Sequence, residues 1–361
     1  MTFNFSENKC LLIAGPCSAE SREQVWNTAL KVSVGGKVHA FRAGVWKPRT
    51  RPGGFEGMGA KALPWLKSVQ EKLHLPVCIE VAKPAHIQQA LKYGINFFWI
   101  GARTTANPFS VQELAEALKG VDCAVMVKNP IHPDLQLWIG ALERMMRSGI
   151  KQLAAVHRGF HIASGSTFRN TPLWQIPIEL KVQFPHIPVI CDPSHISGRR
   201  DLIYDVSQNA LDLGMNGLMI ETHFKPRMAL SDRNQQLDPE ALFAVIDKLR
   251  VKVHSSGDPT FNKKLKGLRD KIDRLDRDMM RILLKRCSLV QNIAKEKRKT
   301  GVTAFQLQRW VAILKSRTLW AEKMHLMPDF ISKLYQLVHE ESIRIQIESM
   351  NSDSGKRGIK K

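Results

Sequence analysis

The chain has 361 residues, a formal net charge of +21 and six scattered cysteines with no CxxC pair. This length exceeds one average domain but does not reach four, and the cysteine spacing argues against a disulfide framework or a zinc ribbon. No apolar run approaches the ~20 residues of a membrane span, and the opening MTFNFSENKC lacks the basic-then-apolar order of a signal peptide. A cytoplasmic protein without membrane contact is expected.

Up to about residue 250, short apolar runs alternate with amphipathic segments. The runs are CLLIA (10–14), VHAFRA (38–43), PVCIE (76–80), NFFWI (96–100), CAVMV (123–127), LAAVH (153–157), PVICD (188–192) and GLMIE, which ends at 221. Between them lie helical patterns such as ESREQVWNTALKVS and LQLWIGALERMMRSGI. Eight strands alternating with helices over roughly 250 residues predict an α/β fold, a (β/α)8 barrel spanning 1–250. A doubly wound sheet is the weaker alternative, because AGPCSAES after the first run is not a Gly-rich phosphate loop.

Residues 251–262, VKVHSSGDPTFN, break the alternation and read as a linker. From 263 to 350 the pattern is helix only. Leu265, Leu268, Ile272, Leu275, Met279, Ile282 and Leu283 recur at threes and fours on one long amphipathic helix. A second helix is expected around Trp310–Trp320 and a third from about Ile331 to Ile347. Three helices make a thin bundle, so at least a homodimer is expected, burying their apolar faces. Residues 351–361 are expected to form a disordered tail. The segment from Lys263 onward holds 24 Lys and Arg against 11 Asp and Glu, so +13 of the charge lies there. Asp270, Asp273, Asp276 and Asp278 interrupt that field, and no nucleic-acid partner is expected.

In a (β/α)8 barrel chemistry sits where the strands end. Each predicted strand is followed there by a charged or metal-capable group. Cys17 follows the first, and Arg42 and Lys47-Pro48-Arg49-Thr50 accompany the second. Glu80 ends the third, Arg103 and Thr104 follow the fourth, and Lys128 the fifth. His157 and Arg158 end the sixth, Asp192 and His195 the seventh. Glu221 and His223 end the eighth, with Asp232 beyond. Cys17, His195, Glu221 and Asp232 offer a thiolate, an imidazole and two carboxylates. That mixture suits a divalent transition metal; Mn, Fe, Co or Zn fits. Arg42, Lys47, Arg49, Arg103, Lys128 and Arg158 would be destabilising if crowded without carboxylate partners. They predict polyanionic ligands carrying phosphate and carboxylate groups.

AGPCSAES, RAGVWKPRT, IGARTT, CDPSHISGRR and MIETH…ALSD…QQL, in that order over the first 245 residues, resemble 3-deoxy-D-arabino-heptulosonate 7-phosphate (DAHP) synthases. The resemblance implies condensation of phosphoenolpyruvate with erythrose 4-phosphate. It implies that Cys17, His195, Glu221 and Asp232 hold a divalent metal ion, Mn2+ first and Co2+, Fe2+ or Zn2+ as alternatives. Arg42, Arg103, Lys128 and Arg158 take the place of the phosphoenolpyruvate clamp, and Lys47, Pro48, Arg49 and Thr50 that of the erythrose 4-phosphate loop. Octulosonate phosphate synthases share the barrel, but the KPRT stretch favours the four-carbon aldehyde. Glu80 and His223 are candidates for proton transfer. VKNP and VHRGF depart from the commoner surroundings of Lys128 and Arg158.

LRDKIDRLDRDMMRILLKR, IAKEKRK, FQLQRW and HEESIRIQ resemble an all-helical chorismate mutase. Arg269, Arg286, Lys297, Arg309, Ser342 and Gln346 fall on its active-site positions, with chorismate as substrate and prephenate as product. Arg269 and Arg286 are 17 residues apart on one helix, so one helix cannot fold them together; the resemblance has the first reach into a partner's pocket. Gln306 and Trp310 stand where acidic residues are usual, so hydroxyl recognition is expected to differ. With residue 10 already in the first apolar run, the chain is expected to lack the extension that carries feedback sites in relatives. Feedback on the barrel by mutase ligands is therefore expected. The competing expectation is a helical module that only senses a ligand or binds polyanions.

Overall fold

The computed structural model describes residues 2–5, 10–47, 54–163, 167–253 and 255–352. The chain divides into two compact units, Met1–His254 and Ser255–Lys361.

The first unit is a closed barrel of eight parallel strands: β1 (Leu11–Gly15), β2 (Ala40–Ala43), β3 (Val77–Val81), β4 (Phe97–Ile100), β5 (Ala124–Lys128), β6 (Gln152–His157), β7 (Val189–Cys191) and β8 (Gly217–Glu221). Each strand pairs with its neighbour in sequence, and β1 closes on β8 with Leu11 opposite Gly217 and Gly15 opposite Glu221. Helices Arg22–Ser33, Leu63–Leu73, Pro84–Leu91, Pro108–Leu118, Leu135–Arg147, Gln175–Gln183, Ile203–Asp212 and Pro239–Lys248 follow the strands in turn. The strands read as continuous apolar runs because both faces are buried. Alternation still sorts them. Leu12, Ala14, Phe41, Ile79 and Phe98 face the helices, in one core with Val25, Leu66 and Trp138. Leu11, Ile13, Cys78, Trp99, Met126, Ile190 and Met219 fill the interior. Phe5 belongs to this interior core, and Phe3 stacks on Phe97 at 4.4 Å. Emptying the interior at one site, as in Met126→Ala, costs about 2–5 kcal/mol.

The second unit is helical: Pro259–Thr300, Leu307–Lys323 and Pro328–Asn351. The first helix begins inside the stretch read as linker. Asp258 caps it by accepting the Thr260 and Phe261 N–H groups, and Pro259 occupies the first turn, where its missing donor costs nothing. This 42-residue helix buries only Val290 and Ala294. Leu268, Ile272, Leu275, Met279, Ile282 and Leu283 are all exposed. No helix among the described residues is long and apolar enough to cross a bilayer.

Candidate active sites of the barrel and the helical unit

Asp192 stands directly after β7 and caps the helix Pro193–Ser197, its Oδ1 accepting the His195 backbone N–H at 3.1 Å. Its Oδ2 faces Lys128 Nζ at 2.7 Å, His195 Nδ1 at 2.8 Å and Arg42 Nη1 at 3.8 Å. His195 first, then Lys128 and Arg42, hold the Asp192 carboxyl well below the usual range although burial opposes ionisation. With Nδ1 against Asp192, His195 turns Nε2 toward Glu221 Oε1 at 3.7 Å and Asp232 Oδ2 at 4.0 Å.

Cys17, just past β1, is fully buried, and its Sγ lies 3.4 Å from Asp232 Oδ2. Donor atoms of Cys17, Glu221 and Asp232 all lie within 4.8 Å of one another. Burial, reinforced by the Glu221 charge, pushes the Cys17 thiol up to about 12, so a thiolate here requires an adjacent cation. Burial also works against ionising Glu221 and Asp232. His195, with Arg42 for the first and Arg169 for the second, nevertheless keeps both below the usual carboxylate range. This donor set fits a divalent transition metal.

The cations of the mouth are paired more fully than their sequence positions suggest. Arg42, buried within β2, donates from Nη2 to Glu221 Oε1 at 3.0 Å. Lys128 pairs with Asp192, and Lys47 Nζ lies 3.9 Å from Glu80 Oε2. The expectation of crowded cations without carboxylate partners is therefore corrected: the closed sheet brings acids from other strand ends alongside them. The demand for an anion falls instead on donors left over. Arg42 Nε and Nη1 and Trp99 Nε1 are buried without a hydrogen-bond acceptor. The Arg42 guanidinium lies 5.0 Å, and Lys128 Nζ 5.6 Å, from the Trp99 ring centroid. Burial pulls the Arg158 guanidinium down to about 10; its Nη1 donates to Asn170 Oδ1 at 2.8 Å, and Asn129 Oδ1 accepts its backbone N–H at 2.7 Å.

Arg103 and buried Thr104 lie on the short helix Ala102–Thr105 after β4. A Cβ at Gly101 before it would overlap Glu80 Oε1, so the glycine leaves room for that carboxylate in its present position. Pro48, Arg49 and Thr50 lie outside the described residues. His223 accepts the Lys225 N–H at Nδ1 (2.9 Å) and has Nε2 3.6 Å from Glu20 Oε2, so both nitrogens face the segments that frame β8.

In the helical unit, Arg286 Nη1 donates to Ser342 Oγ at 2.6 Å across two helices. Gln346, one turn beyond Ser342, donates to the Ser342 carbonyl at 3.2 Å, and its buried Oε1 has no donor. Lys297 Nζ donates to the Ala304 carbonyl at 2.7 Å. Trp310 stacks on His339 at 4.0 Å, while Arg309 is exposed. Arg269 is exposed as well, about 26 Å along its helix from Arg286 at 1.5 Å per residue. One chain therefore groups Arg286, Ser342 and Gln346, and leaves Arg269 far along the helix.

Comparison with known proteins bears directly on both units. The DAHP synthetase I family profile matches residues 3–254. The chain belongs to the DAHP synthetase I family. The chorismate mutase type II profile matches residues 268–347, so a segment similar to chorismate mutases follows the synthase unit in one chain. The synthase unit is similar to phospho-2-dehydro-3-deoxyheptonate aldolase of Thermotoga maritima, 31% identical over 239 residues, which are 66% of this chain and 68% of that protein. A crystal structure of the Thermotoga maritima aldolase superposes with a TM-score of 0.60 at 28% identity, covering 69% of this chain and 71% of that one. The mutase unit is similar to part of the bifunctional chorismate mutase/prephenate dehydratase of Buchnera aphidicola subsp. Schizaphis graminum, 32% identical over 87 residues, 24% of this chain and 23% of that protein.

Several residues of the synthase mouth had no assigned role in the sequence. Asp192 was visible only as an acid beside His195. Trp99 read as strand core, and Asn170, Arg169 and Gln235 lie on irregular segments without periodicity. The one available signal was Asp192 followed by Pro193 and then His195, an N-cap pattern that aims a helix start at the mouth.

Proposed function

We propose that the synthase unit condenses phosphoenolpyruvate with erythrose 4-phosphate to DAHP and phosphate, and that the mutase unit rearranges chorismate to prephenate. The observation that carries the first half is the set of buried donors without acceptors, Arg42 Nε and Nη1 and Trp99 Nε1, beside Lys128. Such donors favour an anionic guest, because leaving them unpaired costs about 1–3 kcal/mol each.

Arg42, Arg103, Lys128 and Arg158 bind the carboxylate and phosphate of phosphoenolpyruvate. Lys47, with Pro48, Arg49 and Thr50, binds the aldehyde phosphate, and Thr104 lines the same mouth. Cys17, His195, Glu221 and Asp232 hold a divalent cation, Mn2+ in the first instance and Co2+, Fe2+ or Zn2+ as alternatives. When bound, this ion supplies Lewis-acid polarisation of an aldehyde oxygen. The enol carbon of phosphoenolpyruvate forms the new bond to the aldehyde carbon. Water adds at C2, where positive charge develops, and phosphate leaves. Arg42 and Lys128 hold the anion in fixed geometry throughout, so the rate comes mainly from positioning and preorganised charge. Glu80, seated by Gly101 beside Lys47, is placed to move a proton.

In the mutase unit the rearrangement needs neither acid, base nor nucleophile. Arg286 and Arg309, with Arg269 from a second chain, grip the two carboxylates. Lys297 and Gln346 donate to the breaking ether oxygen, and Ser342 keeps Arg286 in place. The exposed apolar face of Pro259–Thr300 supports an assembly of at least two chains. We place the enzyme in the cytoplasm, with prephenate bound at the mutase unit inhibiting the synthase.

The test is coupled formation of sugar acid and phosphate by the purified chain. Phosphate release that proceeds equally without the aldehyde would refute the condensation. Prephenate should slow that reaction in the native chain and not in Arg286→Ala; an equal response in both refutes the feedback.

A further inference from the structure

The cation reading raises the question of what holds Glu221 and Asp232 in register. We propose that Arg169 and Gln235 form a brace that fixes which oxygen each of these carboxylates presents to the ion; the proposal rests on the metal reading above. Arg169 Nη1 donates to Asp232 Oδ1 at 3.0 Å and to Gln235 Oε1 at 2.6 Å. Gln235 Nε2 donates to Glu221 Oε2 at 2.7 Å. One continuous bridge thus takes up the outer oxygen of each acid. The other oxygens face the remaining donors: Asp232 Oδ2 lies 3.4 Å from Cys17 Sγ, and Glu221 Oε1 lies 3.7 Å from His195 Nε2 while also accepting from Arg42 Nη2 at 3.0 Å.

The local backbone is arranged around this bridge. Asp232 lies in the left-handed region at φ 47°, on a segment outside any strand or helix that could otherwise fix its side chain. Arg169 is anchored next to His195, its backbone N–H donating to the Ser197 carbonyl at 3.3 Å. Gly198, at φ +68°, makes that approach possible, since a Cβ there would sit 2.5 Å from Arg169 Cβ. The Arg169 side chain is 47% exposed, so packing is not its main contribution. Its positive charge by itself repels a cation. A net favourable effect on metal binding must therefore come from orientation, the same effect by which partners of ligating groups raise metal affinity elsewhere. Arg169 and Gln235 are positioning residues; neither touches the reacting atoms.

The experiment strips the full-length protein of metal and titrates it with Mn2+, reading free ion by electron paramagnetic resonance. Arg169→Met and Gln235→Leu should each raise the dissociation constant ten- to a hundredfold. The double variant should be within about twofold of the worse single one, because both break one bridge. Arg169→Lys keeps the charge but loses the fork, and should also bind more weakly. Saturating Mn2+ should restore most of kcat in all of them, with KM for phosphoenolpyruvate unchanged. The barrel's thermal transition and the mutase rate report separately on folding. Unchanged or tighter Mn2+ binding in Arg169→Met overturns the brace, since removal of charge then decides the outcome. Absence of Mn2+ binding by the native protein overturns the metal reading itself.

Discussion

The Lys128 ammonium and the Asp192 carboxylate meet at 2.7 Å with both side chains almost wholly buried. The same carboxylate oxygen lies 2.8 Å from His195 Nδ1, so one acid neutralises the candidate anion-binding lysine and aims the candidate metal-binding imidazole. Asp192→Asn keeps the shape and removes the charge. Breaking a buried pair from one side costs about 3–5 kcal/mol, so the barrel's calorimetric transition should fall by roughly 6–20 °C. Synthase turnover should drop in parallel, while the mutase rate stays at the native value.

Chelation separates the two units chemically. Addition of EDTA should abolish formation of the sugar acid and leave conversion of chorismate intact, because the candidate metal donors all belong to the barrel. Mn2+ added back should restore the lost rate. Equal loss of both activities would contradict this division.

Arg286→Ala removes the donor that Ser342 positions at 2.6 Å. Loss of one preorganised charge-stabilising donor typically costs 10²–10³ in kcat. Chorismate turnover should fall by about that factor, with the helical content seen by circular dichroism unchanged. A polyanion-binding module would instead lose only part of a salt-dependent affinity.

The exposed face of the long helix should prove to be an interface. Leu275 is 67% and Met279 53% exposed, one turn apart. Charging both, as Leu275→Lys with Met279→Lys, should shift the sedimenting species from dimer to monomer. Burying each unpaired charge would cost several kcal/mol. Mutase activity should decline with the dimer, because the proposed site takes Arg269 from a second chain.

The architecture was legible where it rests on local patterning. Eight apolar runs located eight strands, with bounds no more than two residues off, because a strand buried on both faces is apolar along its length. Cys17, Glu221 and Asp232 were legible as chemistry at strand ends, and they do meet. The pairing of Arg42 with Glu221 was not legible. It joins residues 179 apart in sequence, and nothing in either neighbourhood encodes the other. The same holds for Arg169 and Gln235, which lie on irregular loops. Asp258-Pro259 was read as a break because that dipeptide also suits turns; in this chain it starts a helix.

Closure of β1 on β8 has a consequence for synthesis. Until residue 221 has left the ribosome, β1 has only one neighbour, and the nascent sheet carries two open edges lined with unpaired amides. Every earlier intermediate is therefore exposed to strand pairing between chains on the same message. The charged helical segment follows the last strand and cannot shield those edges while they are open. Slow elongation before codon 221 should increase aggregation of the newborn chain, whereas slowing after it should not.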